Sequence, residues 1–255
     1  MKERVITAIG LIGAFTIALF LGDRALFLLL FAFVLVGSYE IYNLKKDHLK
    51  PIVLVVIVIA TLIGGIIKWT SVPTFGMLLI MLLFSMTVTF EWFKFEDVTY
   101  IYILVMMLIL TLQSITRVLA LDRLVFGFIL FATYATDTFA YFGGRFFGKH
   151  KLIERISPKK TVEGAVIGYV VSAALSLTFG LLWITPYVSK EIIIAASLLI
   201  PVMGQFGDLA FSLIKRHFDI KDFGYIFPGH GGVLDRIDSV IFAFFTFNVL
   251  LTFLV

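Results

Sequence analysis

Cysteine is absent from the 255-residue chain. Disulfides, thiolate metal sites, iron–sulfur clusters and cysteine nucleophiles are therefore excluded together. Charge is scarce as well: 15% of residues are Asp, Glu, Lys or Arg, against about 25% in ordinary soluble domains. A soluble fold of this size needs more polar surface. No internal repeat is detectable, which disfavours transporter folds assembled from inverted halves. The chain is instead 60% hydrophobic with a mean hydropathy of +1.05, far above the range of disordered chains. This composition reads as an all-α, polytopic transmembrane helical bundle.

About 20 apolar residues cross the hydrocarbon as a helix. About nine such stretches fit, at 5–21, 25–42, 52–68, 75–92, 98–115, 124–144, 162–184, 191–211 and 237–255. The first begins Met1-Lys2-Glu3-Arg4 and resembles a signal peptide. It continues to Leu21 without a small-residue cleavage site, so it is read as a span. Lysine and arginine fall unevenly about these spans. One side carries 16 of the 21, at the N-terminus and after spans two, four, six and eight. The positive-inside tendency then places the N-terminus in the cytoplasm and the C-terminus outside, in the cell (inner) membrane.

The chain divides near residue 120. Residues 1–120 form about five spans with short loops and scattered charge. Glu40, near the end of the second, is followed by Lys45, Lys46 and Lys50, which read as snorkelling interface anchors. Trp69 and Trp92 sit at span ends, as an aromatic belt requires.

Residues 121–255 differ. Two cytoplasmic stretches, Gly143–Gly164 and Ser212–Asp238, hold 10 of the 21 basic residues and are rich in glycine. Glycine lets backbone N–H groups approach an anion, and lysine and arginine supply countercharge. Carboxylates lie beside them. Asp137 and Asp208 fall inside predicted spans, where a carboxylate is costly and a functional role is the default. Asp235 and Asp238 share a face if the last helix has begun. Capping accounts for one of these two, but not for Asp208. Carboxylates beside a basic, glycine-rich loop suit a magnesium–nucleotide site, because Mg2+ takes one or two carboxylates and completes its shell with water and phosphates.

From Ser212 to Asp238 the chain resembles the signature of the phosphatidate cytidylyltransferases (CDP-diacylglycerol synthases). Lys215-Arg216, Lys221-Asp222, Gly224, Phe227-Pro228, His230-Gly231-Gly232, Asp235-Arg236 and Asp238 stand at the expected spacing. Two further blocks look like the same family: Gly207-Asp208-Leu209, and the run from Asp137-Thr138 through Gly144-Arg145, Gly148-Lys149 and Ser157-Pro158 to Glu163-Gly164. The likeness covers about residues 133–239; before that only hydrophobic spans are visible.

The resemblance implies a nucleotidyltransferase of phospholipid biosynthesis. Phosphatidate and CTP would give CDP-diacylglycerol and pyrophosphate, with Mg2+ required and a second cation possible. Residues 121–255 become the catalytic membrane region. Asp208 and Asp235 are expected to bind metal, with Asp238 and Asp137 beside them. Lys215, Arg216, Lys221 and Arg236 are expected on phosphates, with Lys160 and Thr161 on the triphosphate or lipid phosphate. Ser212, Asp222, Gly231 and Gly232 fall on the substrate-binding signature, and His230 either binds phosphate or orders the Gly231-Gly232 turn. Partners are CTP, phosphatidate and membrane lipids, with no nucleic acid; a homodimer is compatible with the sequence. Several side chains keep plainer readings. Lys215 and Arg216 also fit a membrane boundary, and Asp219 and Asp222 fit loop salt bridges. Glu163 either caps span seven or orients Lys160. His48, His150 and His217 read as solvent- or headgroup-facing. The Gly144-x-x-x-Gly148 spacing fits helix packing, but Arg145 and Lys149 favour phosphate approach.

Overall fold

A computed structural model describes residues 20–227 and 231–254, with Gly10, Gly13, Ala14, Ile17 and Ala18. Most of the first expected span, 5–21, lies outside the described residues. Among the described residues are eight α-helices: α1 Asp23–Asn43, α2 Pro51–Ile66, α3 Val72–Thr89, α4 Phe95–Leu119, α5 Arg123–Phe147, α6 Val162–Phe179, α7 Lys190–His217 and α8 Leu234–Phe253. Seven helical segments are long and apolar enough to cross a membrane; α2, with 16 residues, is shorter. Helices thus stand within a few residues of expected spans two to nine, but seven rather than about nine are of membrane-crossing length among the described residues. A lipid-exposed backbone must satisfy its own polar groups, and a helix does so within one segment. The ends are set locally: Pro51 opens α2, while Asp122, Thr161 and Ser189 accept backbone N–H bonds at the starts of α5, α6 and α7.

Among the described residues a hairpin in the first basic stretch departs from the all-helical expectation. Strand β1, Lys151–Ile153, pairs antiparallel with β2, Ser157–Thr161, in the register Lys151 to Thr161 and Ile153 to Ser157. Its strands are too short and too basic to show an alternating apolar pattern.

The chain forms two compact units, residues 1–113 with 222–235, and 114–221 with 236–255. In the first, α1 and α2 pack together, and the Ser38 hydroxyl donates to Thr61 Oγ1 at 3.5 Å. The buried Gln113 amide donates at 2.8 Å to the carbonyls of both Gly64 and Ile67, satisfying the C-terminal end of α2. Asp97, fully buried, accepts from Lys45 Nζ at 2.9 Å and from the Lys94 N–H at 2.9 Å, and lies 3.0 Å from His48 Nε2. His48 is exposed, as expected, while its Nε2 lies against the buried Asp97.

In the second unit α5 and α6 pack most closely. A Cβ on Gly164 would fall 2.6 Å from the Ala140 carbonyl oxygen, and one on Gly168 2.8 Å from that of Thr136. Close backbone approach through small residues is how membrane helices associate without a hydrophobic driving force between them. The buried Thr136 hydroxyl donates to Ser172 Oγ at 2.8 Å, and the Ser172 hydroxyl donates to the Ala132 carbonyl at 2.7 Å.

Candidate active site

The second unit gathers the carboxylates of three helices. Asp137 comes from α5, Asp208 from α7 and Asp238 from α8. Asp208 lies near enough to both of the others to repel them. Gly207 permits this approach: a Cβ there would sit 2.7 Å from the Asp238 carbonyl oxygen. The glycine before Asp208 in the motif is thus a packing requirement of α7 against α8. The Ser239 hydroxyl donates to Asp137 Oδ2 at 3.1 Å, and Ser212 Oγ, one turn beyond Asp208, donates to its Oδ1 at 3.3 Å.

Positive charge answers this cluster. Lys160, on strand β2, places its ammonium 2.6 Å from Asp208 Oδ2, with both side chains roughly a third exposed at 28% and 30%. Arg236 and Lys160 attract Asp137, and Lys215 attracts Asp238. Arg236 Nε is buried without a hydrogen-bond partner among the described residues. An unspent guanidinium edge beside acidic groups is a ready donor for an anionic oxygen. Among the described residues no three His, Asp or Glu side chains converge tightly enough to form a metal cluster alone. The donor set nevertheless suits a hard cation such as Mg2+, which needs only one or two carboxylates when substrate phosphates complete the shell.

Other expected residues have different neighbours. Arg216 donates from Nε to the Ile156 carbonyl at 3.4 Å and from Nη1 to that of Ile220 at 3.2 Å, so it braces the hairpin tip against the end of α7. Thr161 accepts the Gly164 N–H at 3.2 Å, which makes it the cap of α6. Gly144 and Gly148 lie against Thr161: a Cβ on Gly148 would fall 2.8 Å from Thr161 Cγ2. Their spacing therefore serves packing, where the sequence favoured phosphate approach. Glu163 accepts the N–H groups of Lys149 and His150 and lies 2.6 Å from His150 Nδ1. It fastens the loop entering the hairpin, and the His150 ring stays solvent-facing, as expected, while pairing with it. Lys221 is exposed, just beyond a helix end closed by Asp219 in the left-handed conformation (φ 52°) and by the Ile220 N–H bond to the Lys215 carbonyl.

The rest of the signature packs within the first unit. Asp235 is buried, 5% exposed, and its Oδ2 accepts the N–H of Phe223 at 2.7 Å and of Gly232 at 2.9 Å. Both donors precede α8, so Asp235 ties the incoming backbone to the start of that helix. Gly231 adopts φ 82°, which favours glycine, and a Cβ there would fall 2.6 Å from Asp235 Oδ2 and 3.2 Å from the Asp222 Cβ. The expectation for His230 lies outside the described residues. One residue was read only as part of an interface anchor. Glu40, on α1 and 3% exposed, accepts the N–H groups of Val233 and Leu234, each at 2.8 Å. The available signal was its place within an apolar span, the same signal that singled out Asp137 and Asp208.

These helices and this charge pattern define a multi-pass membrane protein with an acidic cluster set among lysine and arginine. Residues 2–254 match the model of the cytidylyltransferase family, and the chain belongs to that family. It is accordingly a nucleotidyltransferase. The chain is 31% identical to the phosphatidate cytidylyltransferase of Bacillus subtilis (strain 168), over 95% of this chain and 94% of that one. It is 30% identical to that of Staphylococcus haemolyticus, over 98% and 99%. A third relative of the same name, from Staphylococcus saprophyticus, is 42% identical over about half of each chain (53% and 51%). The likeness thus extends across the apolar first half, where the sequence alone showed only generic spans.

Proposed function

We propose that this enzyme transfers the cytidylyl group of CTP to phosphatidate, giving CDP-diacylglycerol and pyrophosphate at the cytoplasmic membrane face. The names of its relatives support the substrates. The observation that carries the chemistry is the Lys160–Asp208 pair within a cluster of three carboxylates and the unpartnered Arg236 edge. The uneven distribution of basic residues supports a cytoplasmic N-terminus and site.

In this reading a phosphate oxygen of phosphatidate attacks the α-phosphorus of CTP. The bond from that phosphorus to the bridging oxygen breaks, and the electron pair leaves with pyrophosphate. The nucleophile is already ionised near neutral pH, so alignment and charge neutralisation dominate the catalytic demand. Lys160, Lys215, Lys221 and Arg236 offset phosphate charge, and Ser212 holds the Asp208 carboxylate in place. Asp208 and Asp235, taken from the motif, would supply oxygen donors for Mg2+, as would Asp137 and Asp238. A bound Mg2+ supplies charge stabilisation to the phosphate oxygens.

Purified protein in detergent, given phosphatidate, Mg2+ and CTP labelled on either the α- or the γ-phosphorus, tests this reading. Label from the α-position is expected in the lipid, and label from the γ-position in pyrophosphate. Lipid labelled from the γ-position would identify a CTP-dependent lipid kinase, and no labelled lipid from either would remove the proposed reaction.

A further inference from the structure

We propose that Glu40 is a positioning residue that holds the signature backbone at Phe223–Phe227 and Gly231–Asp235 in its working conformation, through a buried carboxylate shared between two backbone N–H groups. Its effect on turnover rests on the reaction proposed above; its hold on the segment does not.

The first helix presents one face to this segment. Phe33, Gly37 and Glu40 are spaced four and three residues apart, so they share a side of α1. Phe33 meets Phe227, with ring centroids 6.2 Å apart. Gly37 leaves room for Leu234, whose Cδ2 would lie 3.6 Å from a Cβ there. Glu40 closes the row: Oε1 accepts the Val233 N–H and Oε2 the Leu234 N–H. These N–H groups open α8, where no intrahelical acceptor exists for them. Both residues are about 1% exposed, so water cannot take the place of the carboxylate. Among the described residues no lysine or arginine pairs with Glu40, so its hydrogen bonds go to the segment alone.

The same carboxylate explains two glycines of the signature. A Cβ on Gly224 would fall 2.6 Å from Glu40 Oε1, and one on Gly232 would run into the same oxygen. Gly232 also gives its N–H to Asp235. The segment is therefore wrapped between two carboxylates, Glu40 from outside and Asp235 from within. Displacing the first releases the backbone that orients the second. A glutamate is needed because only a carboxylate offers an acceptor to both N–H groups; a glutamine turns an NH2 toward one of them.

Hydrogen exchange read by mass spectrometry, together with steady-state kinetics, on wild type, Glu40→Gln and Glu40→Ala tests the proposal. Peptides covering Phe223–Phe227 and Gly231–Asp235 are expected to exchange faster in the order wild type, Gln, Ala, while peptides from α6 and α7 keep their rates. Turnover should fall by about 10- to 100-fold. The Mg2+ concentration for half-maximal rate should rise, with the KM for phosphatidate unchanged. Wild-type exchange in the segment for both variants would overturn the proposal. So would unchanged turnover and Mg2+ requirement in an active enzyme whose segment had loosened. If the wild type makes no cytidylylated lipid, the reaction is wrong, and the exchange measurement still decides whether Glu40 holds the segment.

Discussion

Replacing Asp208 by Asn is expected to lower CDP-diacylglycerol formation by about 10^3-fold, or about 4 kcal/mol of transition-state stabilisation. The substitution changes charge and almost nothing else. Ser212 Oγ still finds an acceptor, and the lost partner of Lys160 is roughly a third exposed. A pair so placed is worth about 0–1 kcal/mol to folding, so the thermal midpoint of the detergent-purified variant should stay close to wild type. The rate of α-label transfer from CTP into lipid, measured beside a melting curve, separates the two effects. A variant with turnover within tenfold of wild type would show that the Asp208 charge is not needed.

Asp235→Asn is expected to match that loss in rate and to differ in stability. Asp235 accepts two N–H bonds on one oxygen in a buried place, and hydrogen bonds to a charged group contribute about 1.5–3 kcal/mol. The asparagine carbonyl can still accept both, so about 1 kcal/mol of charge assistance is the expected cost to folding. Asp235→Ala instead leaves the Phe223 and Gly232 N–H groups buried without an acceptor, at about 1–3 kcal/mol each. The series therefore divides one residue's two tasks. Loss of turnover in the asparagine variant with most of its stability intact marks a carboxylate that acts on substrate-bound charge. Wild-type turnover in that variant would reduce Asp235 to a tie for the incoming backbone.

The helices were legible because seven of them are predominantly apolar runs of membrane length, and such a run has few other structures open to it. The hairpin was not, since Lys151–Ile153 and Ser157–Thr161 carry too few apolar residues for a period to register. The signature identified Asp208, Asp235 and their basic neighbours by type and spacing, but spacing does not reveal what a side chain touches. Arg216 and Thr161 proved to be engaged by backbone, and Gly144 and Gly148 to face Thr161 rather than open space. Glu40 was hidden for a different reason. Its helix is apolar on every side, so no stripe marks the face that receives the signature segment, and its partners are 193 and 194 residues away in sequence. The rule that flags a carboxylate within a span applied to it as fully as to Asp137; the nearby lysines at Lys45, Lys46 and Lys50 suggested an interface position instead.

In the proposed reaction, aspartate carboxylates would hold a divalent cation against the phosphates of CTP. Electron paramagnetic resonance of Mn2+, added to the purified protein with CTP and competed by Mg2+, addresses this directly. Wild type is expected to bind Mn2+ saturably at a Mg2+-sensitive site, and Asp208→Asn to lose that binding while remaining folded. Equal Mn2+ binding by the two proteins would contradict the account.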